Sequence, residues 1–144
     1  MKQLIWRLVI PLTIISFFLV TKCWFVAVED APDSWMYGFP FPYLCEGWHT
    51  SLSLQVFLKE LFMDLGIYVL FWTATVFLVN KFLGIPPMPR PFTIILWVIS
   101  GVILFAVIWV ASMPEHIFLI QREFDCEVIA SGFKFPWQVI ERPN

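Results

Sequence analysis

The sequence predicts an all-α transmembrane fold, a three-helix membrane bundle with a small extracytoplasmic cap of loop and β-hairpin. Three observations point there. First, of 144 residues 60% are hydrophobic, 19% aromatic and only 14% charged, and the mean hydropathy is +0.80. A soluble domain runs nearer roughly 45–50% apolar and about 25% charged. Second, three apolar stretches have the length needed to cross about 30 Å of hydrocarbon, which takes roughly 20 helical residues. Third, the charges are partitioned by position along the chain, and no strongly basic patch suggests nucleic acid as a partner.

The first span is expected over about residues 8–28, LVIPLTIISFFLVTKCWFVAV, interrupted by Lys22. Pro11 falls in its first turns, where a missing N–H costs little. A cleaved leader would share the charged start, but no A-x-A pattern precedes Glu29-Asp30, so an uncleaved helix is the reading. Cys23 does not suit a lipid-modified cysteine, because Lys22 stands where a small residue is needed. An outer loop follows over 29–50.

The second span is expected over about 51–83. Its amphipathic start, SLSLQVFLKELFMD, makes it longer than the hydrocarbon requires. The first turns should therefore project beyond the membrane or lie along its surface, with Thr50 or Ser51 as the cap. A short cytoplasmic loop, 84–91, leads to the third span at about 92–112, FTIILWVISGVILFAVIWVAS, which has no charge. Pro91 and Pro114 bracket it, as helix ends favour. Ser100-Gly101 is a small-residue step where another helix could approach.

The outer tail, 113–144, reads as a β-hairpin. Polar and apolar residues alternate over Glu123–Val128, placing Phe124, Cys126 and Val128 on one face. Ala130-Ser131-Gly132 supplies the turn, and Phe133-Lys134-Phe135 alternates again. An isolated hairpin is marginal in water, so it should pack on the aromatic outer loop.

Orientation follows from charge. Lys2, Arg7, Lys81 and Arg90 fall on one side with no acidic residue, while all 11 acidic residues fall on the other side or in its half of the membrane. The positive-inside rule then puts the N-terminus and the 84–91 loop in the cytoplasm, and the C-terminus outside. Short loops and this clean bias suit a bacterial plasma (inner) membrane.

Several residues stand out as candidate sites. Cys45 and Cys126 both fall in the oxidising outer segments and form a candidate disulfide, with two buried thiols as the alternative. Lys22 lies about 22 Å along its helix from Arg7, and Asp64 about 25 Å along the second from Lys81. At that common depth Lys22 is expected to pair with Asp64 or with Glu60, one turn further out. Separate snorkelling of the charges is the plainer alternative.

An outer aromatic interface is expected from Trp35, Tyr37, Phe39, Phe41, Tyr43, Trp48, Phe133, Phe135 and Trp137, whose rings suit the headgroup region. Within it Gly38-Phe39-Pro40-Phe41-Pro42-Tyr43 and Gly132-Phe133-Lys134-Phe135-Pro136-Trp137 share the pattern Gly-Phe-x-Phe-Pro-aromatic. His49 and His116 have no metal-ligand spacing around them, no nucleophile elbow or phosphate loop exists, and no cofactor is implied.

These features suit an accessory or structural subunit of a larger membrane complex, whose partners are membrane lipids and other membrane subunits or further copies of itself. A homo-oligomeric transporter or channel using the Lys22/Asp64/Glu60 cluster is the alternative. A lipid- or quinone-modifying enzyme ranks last, because no catalytic spacing is present.

Overall fold

The first apolar stretch does not run as one helix. In the structure, a computed structural model that describes residues 4–28, 31–47, 53–83, 89–122 and 126–133, helix α1 spans Ile5–Leu19. The chain then turns into strand β1, Lys22–Val28. The remaining elements are β2 (Ala31–Tyr37), β3 (Leu44–Glu46), β4 (Leu54–Phe57), α2 (Leu58–Leu83), α3 (Arg90–Ala111), β5 (Ile117–Leu119) and β6 (Cys126–Phe133). The fold is mixed α/β, with three helices and a six-stranded sheet among the described residues, which overturns the all-α bundle. Among the described residues, two helices rather than three have the length and composition to cross a membrane.

The physical reason lies in β1. Its sequence, Lys-Cys-Trp-Phe-Val-Ala-Val, is aromatic and β-branched, and the strand has neighbours on both sides. A strand buried on both faces reads as a continuous apolar run, and periodicity alone cannot tell it from a helix. The expected amphipathic start of the second span divides in the same way. Leu54–Phe57 alternates in burial as β4, and the helix begins only at Leu58.

The chain divides into two compact units. One comprises Met1–Phe18 with Leu65–Ala111, and the other Leu19–Asp64 with Ser112–Asn144.

The helical unit contains α1 to Phe18, α2 from Leu65, and α3. Helix α1 opens with wide π-helical turns over Ile5–Val9, in which the Ile10 N–H donates to the Ile5 carbonyl. That widening precedes Pro11, which has no N–H to offer its own preceding turn. The Trp6 and Trp97 rings stack at 6.0 Å, and the Trp97 indole donates to the Trp6 carbonyl at 3.2 Å. Ser100 is fully buried, donating to the Leu96 carbonyl at 2.8 Å with the Pro11 carbonyl 3.2 Å away. Its neighbour Gly101 faces open space. On α2, Trp72 donates to the Ser16 hydroxyl at 2.8 Å and Tyr68 meets the Phe17 ring edge-on at 5.5 Å.

The sheet unit has the strand order β5-β4-β3-β2-β1-β6, with β4 and β5 parallel and every other pair antiparallel. Directly opposed residues share a face, so Trp24, Met36, Cys45 and Gln55 form one row. Met36 and Cys45 join Val26, Val28 and Phe57 in the core, with Trp24 and Leu119 packed against it. Cys23, Tyr37, Leu44, Val56 and Phe118 form the neighbouring row on the other face. Between β1 and β2 the register slips, so that Ala27 alone opposes Pro32 and Asp33. A bulge is where a strand tolerates a proline, which cannot donate to the ladder.

The predicted hairpin is not formed as expected. Ala130, Ser131 and Gly132 lie inside β6, opposite Phe25, Trp24 and Cys23, and a second bulge skips Ile129. A free-standing hairpin would be marginal, whereas β1 offers an existing ladder, so pairing with it overrides the turn chemistry of Ser-Gly. Phe124, Phe135 and Trp137 lie outside the described residues.

Candidate membrane-facing and loop-anchoring residues

The loop from Gly38 to Tyr43 joins β2 to β3, and several side chains converge on it. Gly38 has φ +146°, and a Cβ there would sit 2.2 Å from the Phe41 carbonyl oxygen, so only glycine fits. Its N–H donates to the Lys22 carbonyl at 3.1 Å, and its own carbonyl accepts the Trp24 indole N–H at 3.0 Å. The Phe39-Pro40 peptide is cis. Beyond it, the Phe41 N–H donates to the Asp64 carboxylate at 3.0 and 3.3 Å.

Asp64 is therefore an anchor for the loop. It is fully buried, and a carboxylate taken from water needs charge-assisted hydrogen bonds to offset the loss. Lys22 does not supply its partner, contrary to the expected ion pair. The Lys22 ammonium stands 3.7 Å from the centroid of the Trp24 ring and 5.9 Å from that of Phe133. Among the described residues no carboxylate lies within ion-pair distance of it. The expectation failed because it placed Lys22 on a helix. Residues two apart lie on the same side of a strand and on different sides of a helix, so the Lys22–Trp24 contact was hidden. Glu60 likewise has no ion pair among the described residues, and its Oε2 is buried without a hydrogen-bond partner.

The expected disulfide is also not formed. Three strand spacings separate β3 from β6, about 14 Å at roughly 4.8 Å each. A disulfide needs Cα atoms within about 7 Å. Cys45 is instead a fully buried core residue, and Cys23 is buried near the start of β1.

The aromatic residues expected to form one outer surface are divided. Trp35 tilts against Phe25 with centroids 4.9 Å apart. The Tyr37 hydroxyl donates to Glu46 Oε1 at 3.1 Å, and burial first, then the Glu46 charge, pushes its pKa well above the ordinary value. Tyr43 is buried. Phe39 packs edge-on against Phe133 at 4.9 Å, so the second residues of the two Gly-Phe-x-Phe-Pro echoes meet. Phe41 and Phe133 are exposed. Trp48, Phe135 and Trp137 lie outside the described residues, as does His49.

His116 accepts the Leu54 N–H on Nδ1 at 3.2 Å, which places the proton of the neutral ring on Nε2. That nitrogen is buried without a partner. No group of three His, Cys, Asp or Glu side chains suited to a metal occurs among the described residues. Sequence reasoning offers Trp24 only as a ring suited to the headgroup region and Gly38 only as the first residue of an aromatic echo, neither as a partner of Lys22. Only the Lys-x-Trp spacing could have signalled Trp24, and only to a reader already holding it in a strand.

No protein-family model matches the chain, and no curated protein or solved structure is detectably similar to it.

Proposed function

We propose that the chain is an integral membrane protein working as an accessory or structural subunit of a larger membrane assembly. The observation that carries this reading is the surface of α2 and α3. Both are long and apolar enough to span a bilayer, and few of their side chains are buried. Leu70, Phe71 and Phe82 on α2, and Val102, Phe105 and Ile108 on α3, are all exposed. Water is a poor solvent for such a surface, and lipid tails or other helices are good ones.

Two of the hydroxyls on these helices turn inward on their own backbone. Thr75 donates to the Phe71 carbonyl at 2.8 Å and Ser100 to the Leu96 carbonyl at 2.8 Å. That leaves the spans with contact surface and little chemistry, which suits a subunit that supports others. With Lys81 and Arg90 at the ends joined by the 84–89 link, the positive-inside rule puts that link in the cytoplasm and the sheet unit outside. The transport reading has lost its motivating cluster, since Lys22 and Asp64 serve different partners.

The experiment is purification of the tagged chain in mild detergent with mass spectrometry of what remains bound. Stoichiometric membrane subunits are expected; a pure homo-oligomer would overturn the reading.

A further inference from the structure

The sheet unit sorts its surface along the strand axis. The register lets every residue be placed on that axis. Lys22 opens β1, opposite Phe133 at the end of β6. The 38–43 loop lies at the same end, because the Gly38 N–H reaches the Lys22 carbonyl. Phe57 ends β4 there, opposite Leu119, and the Lys59 N–H in the first turn of α2 donates to the Ile120 carbonyl. Two of the places where the chain leaves this unit for the helices, Leu19 and Asp64, therefore open from this same rim.

The rim is apolar, aromatic and basic. Leu19, Val20, Phe41, Phe133 and Ile120 are exposed large hydrophobics. Among the described residues, the exposed or half-exposed charges close to it are Lys22, Lys59 and Arg122, two residues beyond Ile120, with half-exposed Glu60 beside Lys59. Of the described acidic groups on this side, Asp64 is buried under the Phe41 N–H, and Glu60, half-exposed as a residue, has its Oε2 buried. The opposite end carries the reverse sign. Exposed Glu127 pairs opposite Ala27 and exposed Asp33 lies in the same stretch of β2. That is about five residues, or about 17 Å, up the strands from Lys22.

We propose that this rim is seated in the headgroup layer of an anionic phospholipid bilayer. Phe41 and Phe133 enter the acyl boundary, and Lys22, held over Trp24, together with Lys59 meets lipid phosphates. The inference rests on the membrane reading of α2 and α3 and adds that the sheet unit is itself bound to the lipid surface. Three features favour a bilayer over a protein partner. The rim is covalently continuous with α1 and α2, its mixture of aromatic rings and cations is that of the interfacial belt, and its sign complements anionic lipid while the far end would be repelled.

The test uses the full chain in nanodiscs of mixed phosphatidylcholine and phosphatidylglycerol. The photoreactive residue p-benzoylphenylalanine replaces, one at a time, Phe41, Phe133, Ile129 and, as the span control, Phe105. Lipid adducts are expected at Phe41, Phe133 and Phe105 and not at Ile129. At Phe133 they should be enriched in phosphatidylglycerol, about fivefold relative to Lys22→Gln/Lys59→Gln. Adducts at Phe105 without any at Phe41 and Phe133 would overturn this inference and leave the membrane reading standing. Absence of lipid at Phe105 would instead remove the membrane reading on which it rests. Equal labelling at Ile129, protein adducts at Phe133, or enrichment unchanged by the double substitution would each overturn the seating proposed.

Discussion

Asp64 on α2 accepts the main-chain N–H of Phe41 at 3.0 Å, so a helix-borne carboxylate holds a loop 23 residues upstream in the sequence. The bond is local in space and remote in sequence. It replaces the side-chain ion pair that charge spacing suggests.

Asp64→Ala should destabilise the sheet unit by about 1.5–3 kcal/mol, the loss expected when a charge-assisted hydrogen bond leaves a donor unmet. Asp64→Asn, which keeps an acceptor oxygen, should cost less. Lys22→Leu combined with Asp64→Ala should be additive to within about 0.5 kcal/mol. Denaturant unfolding in detergent followed by tryptophan fluorescence measures all three. A coupling well above that limit would restore the ion pair.

Two glycines should respond in opposite directions. Gly38→Ala meets the Phe41 carbonyl oxygen at 2.2 Å in a backbone conformation that L-residues avoid. A loss of about 2 kcal/mol or more is expected from strain and displacement of the loop. Gly101→Ala meets nothing within 4 Å, and should gain about 0.5–1 kcal/mol from helix propensity. Thermal melts of the two variants side by side decide the matter.

Tyr37 predicts an alkaline limit to stability. Burial, and after it the Glu46 charge, raises its pKa in the folded protein above the ordinary value near 10. A raised folded pKa means the associated stability is fully present below about pH 10 and is lost as the pH climbs above it. Unfolding midpoints measured from pH 8 to 11 should fall in the upper part of that range. Tyr37→Phe should flatten the fall; an unchanged slope would exclude Tyr37 as its source.

The thiols of Cys45 and Cys126 should remain unbridged to each other even after oxidative purification. Intact mass with and without reductant, followed by peptide mapping, should yield no linked Cys45–Cys126 peptide. Cys45→Ala should cost about 1 kcal/mol or more through the core contact with Met36 and Phe57. A linked peptide would require a different strand order.

The uncharged third apolar stretch is a helix that starts two residues before and ends one residue before the expected bounds, because a charge-free run of that length between prolines has few other solutions. Residues 20–28 were misread for the opposite reason. Val26 and Val28 face the core while Cys23 and Phe25 are buried on the other face. With both faces covered, the alternation that marks a strand disappears. The sheet itself depends on pairings such as Lys22 with Phe133, and nothing local to either segment announces the other. The same is true of the loop anchor. Asp64 was noticed because a carboxylate in an apolar stretch demands a partner, but a backbone N–H leaves no mark in the amino-acid letters. Ser100 was legible as a small-residue step, and its neighbour there is α1 of the same chain.

The first strand of the sheet is completed by the last. Phe133 pairs with Lys22, and both long helices are encoded between them. While the chain is being made, β1 can acquire β2 early, but its other edge must stay open until residues 126–133 have left the ribosome. Closing so long a loop is slow, and an open apolar edge is prone to wrong pairings in the meantime. Biogenesis therefore has a built-in order, in which α2 and α3 are synthesised before the sheet can shut. A nascent chain truncated before residue 126 should be handled by the cell as an unfinished protein.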